Sequence, residues 1–211
     1  MALPPASPQR QPRHRRLIEL DVYERADGLW EVDARLTDTK PFDLRLKVGT
    51  RPANVPLHEL QLRIVVDTAF NVLDAGSQSN WVPYPEHCGE HGDAYRRLIG
   101  LNLLRGFRGE VKKRLSGVLG CTHLTELAQL LPTAVVQAFA GTVFKSADGS
   151  QATDTRPFQL DRCHALRADG EAARLYYPRW YQRPPSAQAD DVAPEPASVC
   201  ASPSPTAEQA P

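Results

Sequence analysis

Long apolar runs, closely spaced cysteines and net charge are all missing from this sequence, and each absence removes a class of function. No stretch approaches the roughly 20 apolar residues of a spanning helix, although 41% of the 211 residues are hydrophobic. A membrane is therefore not an expected partner. The formal charge is zero, with 25 basic and 25 acidic residues. Nucleic-acid binders usually carry a basic surplus, so nucleic acid is not expected either. Cys88, Cys121, Cys163 and Cys200 stand far apart with no CxxC pair, which excludes a zinc-finger framework. There is no glycine-rich phosphate loop, HExxH, GxSxG or calcium-loop pattern, which removes nucleotide and standard hydrolase readings. The N-terminal stretch MALPPASPQRQPRHRR lacks the apolar segment of a signal peptide. The cytoplasm is the expected compartment, where a disulfide framework is not expected.

What is present divides into three parts. Residues 1–15 form a flexible arm; its basic run continues through Arg10, Arg13, His14, Arg15 and Arg16, read as solvated. Residues 16–183 form one α+β domain. Residues 184–211 form a Pro/Ala/Ser-rich tail with too few large apolar side chains to offset ordering entropy, and Cys200 is set aside with it. Within the domain, LIELDVYE (17–24) and LWEVDARLTD (29–38) alternate around the turn ADG, a hairpin signature. Trp30 is expected to be buried and Asp27-Gly28 exposed. FDLRLKV (42–48) extends the second strand or forms a third. LHELQLRIVVD (57–67) and FNVLDAGSQSN (70–80) make a second hairpin. An antiparallel sheet of four to five strands with one face covered follows.

The pattern then becomes helical, with three to four helices packed on the sheet. Asp93 is placed as the cap of AYRRLIGLNLL, GEVKKRLSGVL (109–119) is a second helix ending at Gly117 or Gly120, and Thr122 is placed as the cap of HLTELAQLL. Pro132 is expected to open a further helix over 133–144. In the last segment, FQLDRCHALRADGEAARLYYPRWY (158–181), the rings of Tyr176, Tyr177, Trp180 and Tyr181 are expected to pin the chain to the core.

Three cysteines in this domain have histidines beside them. Cys121 precedes a helix start, where free N–H groups and the positive dipole end favour thiolate. His123 lies two residues on and Glu126 a turn later. The loop E86-H87-C88-G89-E90-H91 joins the strands to the helices, where functional groups collect. Asp161, Cys163 and His164 form the third group; on a strand the last two would face opposite sides, whereas in a turn they can share a ligand. Soft and borderline donors of this kind suit zinc or iron. The metal set read from the sequence is Cys88, Cys121, His123, Cys163 and His164. The catalytic pair is Cys121 as nucleophile and His123 as base.

The segments RADGLWEVDARLTDTK (25–40), LHELQLRIVVD (57–67), YRRLIGL (95–101), GCTHLTEL (120–127) and LDRCHALRADG with YYPRW (160–180) together resemble a family of uncharacterised bacterial proteins, catalogued as a domain of unknown function and common in proteobacteria. The resemblance covers about residues 14–182, with GCTHL and CHAL as its blocks. It implies a single cytosolic domain and no established activity. A looser likeness concerns order alone. Iron–sulfur scaffold proteins carry a Cys-Gly block, a Gly-Cys before a helix, and adjacent His and Cys; here the order is Cys88-Gly89, Gly120-Cys121, Cys163-His164. A helix rather than a strand follows Cys88, and the final pair is reversed.

Three functions remain. The first is a binding or accessory module for a small molecule or protein, with structural cysteines. The second is a metal- or iron–sulfur-binding protein using three cysteines and a histidine. The third is a thiol-dependent enzyme in which Cys121 attacks, His123 or His164 acts as base, and Asp161 or Glu126 orients it.

Overall fold

The computed structural model describes residues 3, 5, 8–144 and 156–184, and the chain divides into two compact units, Met1–Lys145 and Ser146–Pro211. The expected tail and Cys200 lie outside the described residues, apart from residue 184. In the first unit, β1 (Arg15–Glu24), β2 (Trp30–Thr39), β5 (His58–Val66) and β6 (Val72–Trp81) form a four-stranded sheet in the order β1-β2-β5-β6. Every neighbouring pair is antiparallel. The stretch read as a third strand or an extension forms its own small hairpin, β3 (Leu44–Leu46) with β4 (Gly49–Arg51).

Period-two alternation selects the covered face. On β2, Trp30, Val32, Ala34, Leu36 and Asp38 are buried while the residues between them are more exposed. Leu60, Leu62, Ile64 and Val66 continue the buried face on β5. Helix α2 (Thr122–Phe139) lies over it with Leu124, Leu127, Leu131, Val135 and Phe139 inward. Phe139 packs between Trp30 and Phe70, at ring-centroid distances of 4.9 and 4.8 Å.

The helices differ from the sequence reading at Asp93, at Pro132 and at the cap of the helix that contains Pro132. Asp93 makes no capping hydrogen bond, and the segment behind it is a 3-10 turn, Ala94–Leu98, ended by the left-handed Gly100. The second helix, α1 (Phe107–Leu115), starts two residues earlier than read and ends just before Gly117, one of the two glycines expected to stop it, whose φ of 61° breaks the helix. Pro132 lies inside α2 rather than opening a new helix. Its missing N–H and its ring cost about 3 kcal/mol in a helix interior. Helical phase keeps Leu131, Val135 and Phe139 on one buried stripe, and that burial outweighs the loss at about 1.5–3 kcal/mol per large apolar side chain.

In the second unit, the described residues form α3 (Glu171–Tyr176) and a short 3-10 turn, Pro178–Trp180, after an irregular segment that buries Leu160 and Ala168. Of the four aromatic residues expected to pin this segment, Tyr176 is 65% exposed, while Tyr177, Trp180 and Tyr181 are half-buried. Among the described residues no helix is long and apolar enough to cross a membrane.

Candidate functional site

Asp38 is the buried charge of the core, 1% exposed, at the last inward position of β2. A carboxylate there needs compensation from every side, because isolated buried charge is costly. Strand register supplies most of it. Arg16 on β1 and His58 on β5 are the direct cross-strand neighbours of Asp38, so one rung runs Arg16–Asp38–His58. Arg16 donates from Nε to Oδ1 and from Nη2 to Oδ2, both at 2.9 Å. His14 brings Nε2 to 3.1 Å from Oδ1, and His58 Nδ1 lies 3.1 Å from Oδ2. His14 and Arg16, read from the sequence as part of a solvated run, are thus drawn to the buried carboxylate. Arg16 also donates from Nη1 to Glu126 at 2.6 Å. The orienting role expected of Glu126 toward His123 is replaced by this contact.

The first turn of α2 adds His123. Its ring lies 4.1 Å from that of His58 between centroids, tilted by 38°, and its Nε2 is 3.9 Å from Asp38 Oδ2. Its other nitrogen, Nδ1, faces Cys121 Sγ at 3.8 Å. A line therefore runs from sulfur through imidazole to carboxylate, and His58 flanks it. One ligand atom each from Asp38, His58 and His123 all fall within 4.8 Å of one another.

Local packing fixes this turn. Cys121, not Thr122, holds the cap position before α2, with extended φ and ψ of −87° and 129°. Tyr95 holds it from the 3-10 turn. Its hydroxyl donates to the Cys121 carbonyl at 2.7 Å, accepts from the Cys121 N–H at 3.0 Å and touches Thr125 Oγ1 at 2.9 Å. Burial pushes the Tyr95 pKa up to about 12, so it remains a neutral donor. Gly120 is extended rather than turn-forming (φ −166°). A Cβ there would lie 2.9 Å from the Leu115 carbonyl oxygen and 3.1 Å from the Tyr95 hydroxyl, so the position excludes a side chain by close approach.

The charges follow from this arrangement. Burial opposes ionisation of Asp38, but Arg16, with His14 and His58, outweighs it and holds the carboxyl below its ordinary range. Burial and then the neighbouring His123 lower the His58 pKa, favouring neutral imidazole. Burial pushes the Cys121 thiol up. The hydrogen bond to His123 and the backbone amides of Leu124 and His123 reverse this, and the net shift is downward. His123 is raised, chiefly by Cys121, with burial opposing.

Of the residues singled out from the sequence, the structure brings Cys121 and His123 together. Cys88 is half-buried on the loop after β6, where its N–H donates to the Tyr84 carbonyl. His87 pairs with Glu90 at 2.7 Å, and His91 stands edge-on to Tyr95. His91 Nε2 is buried and has no partner among the described residues. In the second unit Cys163 is exposed, and His164 Nε2 lies 3.2 Å from Arg167 Nη1. Asp161 accepts from the Ala168 N–H at 2.7 Å and pairs with Arg156. The donor group within coordinating reach, among the described residues, contains none of the cysteines.

Asp38 and His58 escape a search for neighbouring cysteine and histidine because they are twenty residues apart in sequence and joined only by register. The available signal lies in the strands themselves. Asp38 continues the inward series 30, 32, 34, 36, and His58 opens the inward series 60, 62, 64, 66. A polar residue in an apolar series needs partners, and these two are each other's.

No curated protein and no solved structure matches the chain. A family profile described as "Protein of unknown function (DUF2889)" matches residues 14–137, from the first histidine of the Asp38 cluster to the last turns of α2. The chain belongs to that family.

Proposed function

We propose that the first unit is a metal-binding module in which Asp38, His58 and His123 hold a divalent transition-metal ion. The observation that carries this is the convergence of three donors from β2, β5 and α2 within 4.8 Å. Two ligands each about 2.1 Å from one ion lie at most about 4.2 Å apart. Asp38 Oδ2 is 3.1 Å from His58 Nδ1 and 3.9 Å from His123 Nε2, so small side-chain adjustments suffice. Imidazole with carboxylate suits zinc, iron or manganese ions, whereas iron–sulfur clusters take thiolates. Arg16, which donates to both carboxylate oxygens, would keep the carboxylate aligned, the role played by outer partners of metal ligands. Three protein donors leave coordination positions for water or a bound molecule, as in reactive rather than purely structural sites. Cys88, Cys163 and His164 are not required by this centre.

Metal content of protein purified without chelator tests the reading. About one equivalent is expected, with His123→Ala and Asp38→Asn losing it. Failure of the wild-type protein to hold zinc, iron or manganese after reconstitution would end it.

The line from Cys121 through His123 to Asp38 supports a second reading, a thiol nucleophile with an imidazole base. The supporting observation is that the two ring nitrogens face sulfur and carboxylate respectively. Its test is alkylation of Cys121 against pH, with His123→Ala expected to slow the reaction at neutral pH. An unchanged rate would remove it.

A further inference from the structure

The end of the sheet that carries Asp38 is ringed by basic side chains that the cluster does not consume. Arg13 precedes His14 on the approach to β1. Lys40 follows β2 two residues beyond Asp38, and Arg51 on β4 donates to the Val82 carbonyl beside Trp81, whose cross-strand neighbour is Glu59. Among the described residues, none of Arg13, Lys40 and Arg51 has an acidic partner. Aromatic faces hold two of them instead: Arg13 lies over Phe42 at 4.9 Å and Arg51 over Trp81 at 4.7 Å from the ring centroids. Such contacts orient a guanidinium without neutralising it. Acidic groups in the same strands and hairpin are engaged: Glu59 with Arg35, and Asp43 with the Ala53 N–H. The cluster's own carboxylates, Asp38 and Glu126, are both spanned by Arg16.

We infer that the Asp38 end of the sheet binds a phosphate-bearing anion, with Arg13, Lys40 and Arg51 as its rim. Positive charge exceeds negative charge there before any metal is added, in a chain whose formal charge is zero. A bare cation is poorly matched to such surroundings, whereas a multiply charged anion is attracted and would bring a cation with it. The rim's attraction is independent of the metal reading. The coupling between anion and metal rests on that reading. Metal and phosphate should therefore bind more tightly together than apart, by reciprocity of coupled binding.

The test follows backbone amide signals of the full chain, metal-stripped and zinc-loaded, during titration with inorganic phosphate and with phenyl phosphate. Shifts are expected in residues 13–16, 38–42 and around 51 and 58 in both forms, tighter with zinc. Arg13→Glu with Lys40→Glu should weaken binding roughly tenfold, since each reversal replaces an attraction with a repulsion. Glu19→Lys on the opposite sheet face should not change it. Lys40→Ala alone serves if the double variant does not fold. Tighter phenyl phosphate than phosphate would assign a phosphoester, equal or weaker binding the free anion, and either supports the proposal. Phosphate shifts in the stripped form without any zinc uptake would retain the anion site and discard the metal. Zinc uptake with no phosphate shift at millimolar concentration, or no effect of the charge reversals, would overturn the anion site.

Discussion

Two aspartate–arginine pairs, Asp38 with Arg16 and Asp33 with Arg63, lie on opposite faces of the same strand β2. Each is bidentate and cross-strand, with N–O distances of 2.9 Å on the inner face and 2.6 and 2.7 Å on the outer. The difference is solvent. The Asp38 side chain is 2% exposed, whereas those of Asp33 and Arg63 are 38% and 59% exposed. On the outer face water competes with the pair and one partner suffices. On the inner face the same carboxylate gathers Arg16, His14, His58 and His123 and becomes a site. Chemistry here follows from which face a residue takes, more than from which residue it is.

The comparison can be broken first along β2 itself. Trp30 and Asp38 share the inward face, so Trp30→Ala should cost about 3–5 kcal/mol through the cavity beside Phe139. Chemical denaturation measures this, and a fully stable variant would show that the inner face is not a packed core. Asp38→Asn should cost about 3 kcal/mol, because Arg16 and the imidazoles lose a buried counter-charge. Asp33→Asn, removing the same interaction from the outer face, should cost less than about 1 kcal/mol. Equal costs would erase the distinction between the faces.

A smaller effect separates the faces by pH in the metal-free protein. The carboxyl of Asp38 is held below its unfolded value of about 3.9. Its contribution is therefore full above that value and is lost as pH falls through the lower folded one. His58 is likewise depressed from about 6.5, so folding disfavours its charged form and stability declines as pH drops below that point. Asp38→Asn should flatten the acid limb of stability against pH, and an unchanged limb would show that other carboxylates set it. The smallest expected effect is chemical. With its pKa lowered, Cys121 should keep reacting with iodoacetamide at a pH where an ordinary thiol, near 8.5, has slowed. Peptide mapping by mass spectrometry reads that rate.

The strands were legible because alternation is a local signal: Trp30, Val32, Ala34 and Leu36 mark the inner face, and the exposed Asp27-Gly28 turn separates the two strands. Helix boundaries were less so. Pro132 reads locally as a helix start, yet the buried stripe through Leu131 and Val135 carries α2 across it. Half of the site was visible, Cys121 and His123, because their proximity is encoded by two residues of sequence. Asp38 and His58 depend on β2–β5 register, which no local pattern states. Cysteine and histidine neighbours in sequence were weaker guides than a carboxylate at an apolar position of a strand.

The single phenol of Tyr95 reaches further than its own turn. Because it grips both backbone polar groups of Cys121, it sets the direction in which α2 departs and, two residues later, where the His123 ring can stand. The angle of that imidazole is thus inherited from a segment that contributes no donor to the cluster. Shortening the hydroxyl to hydrogen, as in Tyr95→Phe, would leave every proposed ligand in place while loosening the hinge on which one of them is mounted.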